Sequence, residues 1–398
     1  MAKRIKALLT LILAWLVLNI FRRDLYQKDI WLIEEKGNEA RDNGYHFFKF
    51  MRTKYPERNA YFVITLDSPD YYKIKEYGNI VVLNSFKHFL YYLAARYSIN
   101  SQPMGAVPNP DTFLYRFRTM TNIKQKVIFL QHGVIKDDLG NVLDYNQTKF
   151  DLFCCSAKRE RNYVQESCHY PDGIVQELGL CRFDALFQNR SDSRKQILVM
   201  PTFRGWLKPA DTSKEASDEE KLDFMQDTFF QQYSMLLSNE DLLNSLRRYG
   251  YKLLFYPHYA MQPYIHCFDK LSSELVVIAD RQHYDVQQLM IDSAVMVTDF
   301  SSVFFDFAYM EKPEVFFQFD EDKYRAKHYK PGYFDYRRDG FGPVFTESKD
   351  VTEYLVKLME NNCRIEQQYL NRIQDFFDLR DNHNCERTYQ AIIDLHKE

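Results

Sequence analysis

The feature that most restricts this chain is an alternation. From Asp29 onward, short apolar runs of strand length alternate with longer stretches of helical pattern, and the alternation halts once and starts again. That order specifies βαβ units, because a parallel strand needs a crossover long enough to bring the chain back to the same end of the sheet. In the first series the expected strands are residues 30–33, 60–64, 80–83, 126–130 and 152–155, with helical stretches such as 45–54 and 86–97 between them. The second series has strands at 196–200, 252–256, 275–278, 294–297 and 314–317, and a mainly helical stretch at 224–248. The polar, charged segment 189–195 separates the two, and the acidic segment 213–221 reads as a surface loop. At 398 residues the chain is too long for one ordinary core. The pattern therefore predicts an α/β protein of two doubly wound, Rossmann-like domains facing a cleft, over residues 29–190 and 191–398.

Ligands of doubly wound sheets sit outside the carboxyl ends of the strands, so the polar residues that follow each strand are where chemistry is expected. After 126–130 come Gln131-His132-Gly133 and then Lys136-Asp137-Asp138. An imidazole with an intrinsic pKa near ~6.5 can take a hydroxyl proton at cytosolic pH, and Gly133 permits a sharp turn or close approach to a ligand. A turn-stabilising histidine explains the same residues equally well. After 196–200, Thr202 and Arg204 offer a hydroxyl and a bidentate guanidinium to a phosphate, or form a plain turn. Tyr256-Pro257-His258 supplies a second strand-end histidine, one in each domain.

The strongest of these constellations follows 294–297: Thr298-Asp299-Phe300-Ser301-Ser302, then an apolar helical run from 303 to 310. Ser301 or Ser302 suits an N-cap, and the first N–H groups of that helix suit a pyrophosphate; a cap with no ligand is the simpler alternative. Asp306, inside the apolar run, is placed to orient a backbone amide or a ligand hydroxyl. Asp320-Glu321-Asp322 reads either as a solvated loop or as ligands for a divalent ion beside a diphosphate. Walker, dinucleotide-binding, nucleophile-elbow and H-E-x-x-H signatures are absent.

A formal net charge of -3 gives no electrostatic footprint for nucleic acid. The seven cysteines are odd in number and include no C-x-x-C pair, which fits reduced thiols rather than a disulfide framework or a zinc site. Residues 1–28 stand apart. Lys3, Arg4 and Lys6 precede the apolar run 7–21, and Arg22-Arg23 close it. At a rise of ~1.5 Å per residue that run extends about 22 Å, short of a hydrocarbon core of roughly 30 Å. The expectation is a membrane-associating helix at the cytoplasmic face, peripheral or monotopic, with its cations on anionic headgroups. A helix packed on the protein itself is the alternative.

Taken in order, these segments resemble a family. His132-Gly133 followed by Lys136 resembles the H-G-T-P-x-K motif of the CDP-glycerol glycerophosphotransferases of teichoic acid and capsule synthesis, with Val134-Ile135 in place of Thr-Pro. Residues Thr298 to Phe307 are similar to the T-D-Y-S-S-x-x-F-D-F signature of that family. Leu178 to Asp184 resembles its T-G-x-x-R-x-D segment, Met200 to Arg204 its A-P-T-x-R, and Ala40 to Gly44 an early A-x-D-N-G element. The resemblance runs from about Trp31 to Val344. It implies a GT-B-like fold with a donor-binding C-terminal half and an acceptor-binding N-terminal half, without a required metal. CDP-glycerol or CDP-ribitol would be the donor, a lipid-linked teichoic acid or capsular polymer the acceptor, and no cofactor is implied.

On that reading His132 and His258 are the catalytic pair. Thr202, Arg204, Thr298, Asp299, Ser301, Ser302 and Asp306 form the donor shell, and Gly133 and Lys136 lie on the acceptor side. A GT-B glycosyltransferase using a nucleotide sugar and a non-catalytic membrane-bound scaffold are the rival expectations, since a fold alone does not fix chemistry.

Overall fold

A computed structural model of the chain describes residues 2–110, 125–191, 193–209, 211–212 and 214–395. Asp192 and Ser213, within the expected boundary and loop, lie outside the described residues. In chain order the strands are β1 (Trp31–Glu34), β2 (Ala60–Ile64), β3 (Ile80–Val82), β4 (Tyr97–Asn100), β5 (Lys126–Phe129), β6 (Asp137–Asp138), β7 (Leu152–Cys155) and β8 (Val175–Glu177). They continue with β9 (Gln196–Val199), β10 (Lys252–Phe255), β11 (Val276–Ile278), β12 (Val295–Thr298), β13 (Glu314–Phe317), β14 (Lys330–Pro331) and β15 (Val344–Phe345). A seven-stranded parallel sheet has the order β3-β2-β1-β4-β5-β7-β8, and a six-stranded parallel sheet the order β11-β10-β9-β12-β13-β15. Two doubly wound sheets in two units are the GT-B-like arrangement expected from the alternation.

The division between units differs from a single cut near residue 190. The first unit holds Met1–Val134, Gly140–Ala185 and Asp381–Glu398; the second holds Ile135–Leu139 and Leu186–Arg380. The chain's last helix, Asn384–Asp394, therefore returns to the first unit, and the reason is a cap. Asp184 Oδ1 accepts from Asn384 N (2.8 Å) and Nδ2 (2.7 Å), and Oδ2 accepts from Cys385 N (3.0 Å). A carboxylate on the orphan N–H groups of a helix start is held by hydrogen bonds and by the helix dipole. Gly179 completes the seat: its φ is +77°, and a Cβ there would lie 1.6 Å from Asn384 Oδ1. The Leu178 to Asp184 motif is thus a docking site for the C-terminal helix.

Within the first sheet the side chains alternate as strands require. Trp31, Ile33, Phe62 and Ile64 pack to one face with Phe47 and Phe48 of helix α2 (Asn43–Lys54; the N-terminal helix Ala2–Phe21 is α1). Leu32, Val63 and Val81 face the other way, against helix Phe86–Ala94 and a stripe of α1: Ala7, Leu11, Ala14 and Leu18. The spacing of that stripe gives α1 one narrow buried face. Its remaining apolar residues, among them Ile5, Leu9, Ile12, Leu13, Trp15, Ile20 and Phe21, are exposed.

Two local readings are corrected, and the mainly helical stretch is divided. The helix expected over 86–97 ends at Ala94, and Tyr97–Asn100 is the central strand β4. The stretch 224–248 is broken at Asp227 and Asn239, each an N-cap whose side chain accepts a backbone N–H. Of the acidic segment expected as a loop, residues 218–221 are instead the start of helix Asp218–Gln226, because Ser217 and Glu220 form a reciprocal capping box there.

Asp184→Ala should lower the stability of the first unit by about 2–3 kcal/mol, the worth of a charged cap with several bonds. Urea unfolding, with hydrogen exchange at the Asn384 and Cys385 amides, checks this. Unchanged protection at those two amides would contradict the capping role.

Candidate active site

In the second unit the sheet reverses its direction of winding between β9 and β12, so the crevice beyond their carboxyl ends is the place a ligand is expected. The loops there are tied to one another. Thr202 N donates to Asp299 Oδ1 (2.8 Å), Thr298 Oγ1 to Met200 O (2.8 Å), Gln318 Nε2 to Asp299 O (2.9 Å) and His258 N to Pro201 O (3.2 Å). At the centre is Arg204, fully buried. Its Nε and Nη2 donate to the two oxygens of Asp320 (2.7 and 2.9 Å), while Nη1 donates to Thr202 O (3.0 Å) and lies 2.9 Å from Asp299 Oδ2. The rings of Phe229, Phe300, Phe319 and Tyr324 lie 5.2–5.9 Å from the guanidinium carbon.

Several expected roles change accordingly. Arg204 does not present a fork to a phosphate, because the fork is occupied by two carboxylates; it is the internal brace of the site. Asp299 keeps its expected organising role: it accepts from two backbone N–H groups, from Tyr233 and from Arg204. The Thr298 hydroxyl donates to a backbone carbonyl, and Thr202 and Asp306 are buried. Asp320 faces Arg204 rather than serving, with the exposed Asp322, as a pair of metal ligands. Among the described residues no cluster of three metal-ligating side chains occurs.

Ser301 and Ser302 stay partly exposed. Neither occupies the N-cap position, because the helix begins only at Phe304, with Val303 before it. Ser301 Oγ accepts from Val303 N at 3.4 Å. Behind them Phe304, Phe305, Phe334, Phe341 and Phe376 pack as one aromatic wall.

His258 stacks on Phe203, with centroids 4.8 Å apart, and its Nδ1 accepts from Ala260 N (3.2 Å). That bond makes Nδ1 an acceptor, which places the proton of the neutral ring on Nε2. A third histidine, which local sequence did not single out, lies on the same ring. His328 meets Phe203 edge-on at 4.6 Å, and its buried Nε2 has no hydrogen-bond partner among the described residues. Burial, then the Arg204 charge, lowers its pKa to about 4.

Lys136, expected on the acceptor side, belongs instead to the second unit. The segment Ile135–Leu139 pairs there, β6 antiparallel to β14, and Gly332 admits it: a Cβ at Gly332 would lie 2.4 Å from Lys136 O. Lys136 Nζ pairs with Asp137, which also accepts from Arg325 Nη1 (2.6 Å).

In the first unit His132 follows β5. Its imidazole reaches solvent, yet loss of hydration among the surrounding atoms, with Arg182 and Lys36 adding their charges, lowers its pKa to about 4. The sharp turn expected of Gly133 is made two residues earlier, by Gln131, whose φ is 63°.

Residues 16–394 match the family described as CDP-Glycerol:Poly(glycerophosphate) glycerophosphotransferase. The chain belongs to that family. GgaB, the minor teichoic acid biosynthesis protein of Bacillus subtilis (strain 168), is 34% identical over 383 residues, which cover 95% of this chain and 41% of GgaB. The teichoic acid poly(glycerol phosphate) polymerase of Staphylococcus epidermidis is 24% identical over 369 residues, 86% of this chain and 46% of that one. This glycerophosphotransferase-family chain thus spans less than half the length of either relative. A structure of the wall teichoic acid polymerase TagF soaked with CDPG superposes with a TM-score of 0.66 at 18% identity, covering 100% of this chain and 98% of that one, which shows a shared fold.

Arg204→Ala should destabilise the second unit by about 3–5 kcal/mol, because it leaves two buried carboxylates facing each other without a cation. Its unfolding transition in urea measures this. A loss of activity with no loss of stability would instead make Arg204 a ligand-contacting group.

Proposed function

We propose that this chain transfers glycerol phosphate or ribitol phosphate from a CDP-activated donor to a hydroxyl of a lipid-linked teichoic acid or capsular polymer, releasing CMP, at the cytoplasmic face of the membrane. Family membership supports the donor class. The observation that carries the reading is the second unit's switch-point crevice, where Ser301, Ser302 and the Nε2–H of His258 stand on a braced frame suited to a pyrophosphate.

The acceptor oxygen attacks the phosphorus that bears the polyol. A new O–P bond forms, the bond from that phosphorus to the bridging oxygen breaks, and the electron pair leaves on CMP. A phosphate monoester leaves readily, since its second pKa lies near ~6, so the leaving side needs charge stabilisation more than an acid. His258, Ser301 and Ser302 provide donors there. The attacking hydroxyl must lose its proton, and His132, held neutral, takes it. The two histidines then answer differently to substitution. His132→Ala should cut CMP release by at least about 100-fold with little change in donor affinity, whereas His258→Ala should weaken donor binding as well, with calorimetry and rates read side by side. Near-normal turnover by folded His132→Ala would remove the base assignment.

The sign of the pH dependence follows. A base works when unprotonated, so lowering its pKa extends activity toward acid. The kcat/KM profile should stay level through pH 6 and fall only near pH 4–5. An acid limb centred at the ordinary histidine value of ~6.5 would contradict this.

The exposed apolar side of α1, flanked by Lys3, Arg4, Lys6 and Arg23, suits an interfacial helix on anionic lipid. Because its other face covers the first sheet, substitution tests this more cleanly than deletion. Leu9, Ile12, Leu13 and Ile20 changed together to Gln should lower binding to vesicles containing phosphatidylglycerol by at least about 10-fold, while turnover on a water-soluble acceptor persists. Unaltered vesicle binding would place the membrane contact elsewhere.

A further inference from the structure

The A-x-D-N-G element at the start of α2 has no part in the proposed chemistry, yet its asparagine reaches the residue before His132. Asn43 is fully buried and uses both ends of its amide. Nδ2 donates to the backbone carbonyl of Gln131 (2.6 Å), and Oδ1 accepts from Arg182 N (3.0 Å). Gln131 itself is buried in the left-handed conformation, φ 63°, which a non-glycine side chain enters only when its surroundings hold it there. A second clamp acts on its side chain: Nε2 donates to Glu160 Oε1 (2.8 Å), and Glu160 Oε2 accepts from Ser156 N (2.7 Å) and Oγ (2.8 Å).

The neighbouring letters of the element serve the same contact. Asp42 caps α2 and receives Arg182 Nη1 at 2.7 Å. Glu35 accepts from the N–H groups of Arg41, Asp42 and Tyr45, which fixes the helix start. Gly44 lets that start press against β1, since a Cβ there would lie 3.0 Å from Glu34 O and 2.8 Å from Glu35 Cγ. The element thus delivers one side-chain amide to one carbonyl.

We infer that Asn43 is a positioning residue for His132, acting through the strained peptide of Gln131. The inference rests on the reading of His132 as the base. With the carbonyl of residue 131 held, the turn that aims the imidazole is fixed; without it, Gln131 relaxes toward an ordinary conformation and the ring swings away. Displacing a reacting group by about 1 Å costs on the order of 100-fold in rate.

The test is a double-mutant cycle on the full chain, read as CMP release from CDP-glycerol, with donor affinity measured by calorimetry on every variant. Asn43→Ala and Asn43→Asp should each lower kcat by about 20- to 100-fold and leave donor affinity within about twofold. In a His132→Ala background Asn43→Ala should cost less than about twofold more, because the group it aims is gone. An equal loss in both backgrounds, or no loss in the first, would overturn the inference. Near-normal turnover by His132→Ala alone would instead overturn the base reading, so the two failures are distinguishable. Should the Asn43 variants not fold, Gln131 decides: Gln131→Val, β-branched in a left-handed turn, should lose several-fold more kcat than Gln131→Gly, which adopts that turn without steric cost. Equal losses would count against the inference.

Discussion

A guanidinium sealed between two carboxylates sets the form of the donor-side frame. Burying Arg204 costs several kcal/mol in lost hydration, and that cost is offset only because Asp320 and Asp299 accept its charge and Thr202 O accepts a further N–H. The three acidic and basic partners stand at the ends of β9, β12 and β13, so the pairing welds three strand ends together. The side chains proposed to meet the donor stand on or beside those ends. Phe203, the neighbour of Arg204, is the platform for His258 and His328; Ser301 and Ser302 follow Asp299 after one residue. The triad carries one positive and two negative charges, so it does not attract a diphosphate; what it supplies is a frame that does not reorganise.

The first unit holds its strand end without a buried guanidinium at the centre. Its histidine also follows a strand, and the residue before it is held in a left-handed turn by an amide from α2 and a carboxylate, Glu160, in the first turn of helix Lys158–Ser167. In both units the side chains proposed to meet substrate keep some exposure, as at His132, Ser301 and Ser302, while Asn43, Arg204 and Asp299 behind them are buried and hydrogen-bonded. That division separates the cost of rigidity from the site of chemistry.

Most strands were legible because buried parallel strands are near-continuous apolar runs, and the order of the strand-end motifs was legible because each lies within a few residues of its strand. What local pattern could not show is who pairs with whom. Arg204 reads as a phosphate clamp until Asp320, 116 positions away, is seen filling its fork. Lys136 reads as part of the first domain by its position after β5, and only the β6–β14 pairing moves it to the second. Strand β4 was hidden because Tyr97 follows an apolar helix without a break, and the return of the last helix was hidden because its cap, Asp184, lies 200 positions earlier. Asn43 was visible as a motif letter, but its use depends on a contact across 88 positions.

The most direct test of the account is the identity of the products. Purified chain incubated with CDP-glycerol or CDP-ribitol and a lipid-linked acceptor should release CMP in step with a new phosphodiester, resolved by phosphorus NMR. Release of a nucleoside diphosphate from a nucleotide sugar with formation of a glycosidic bond, and no CMP from either CDP donor, would contradict it.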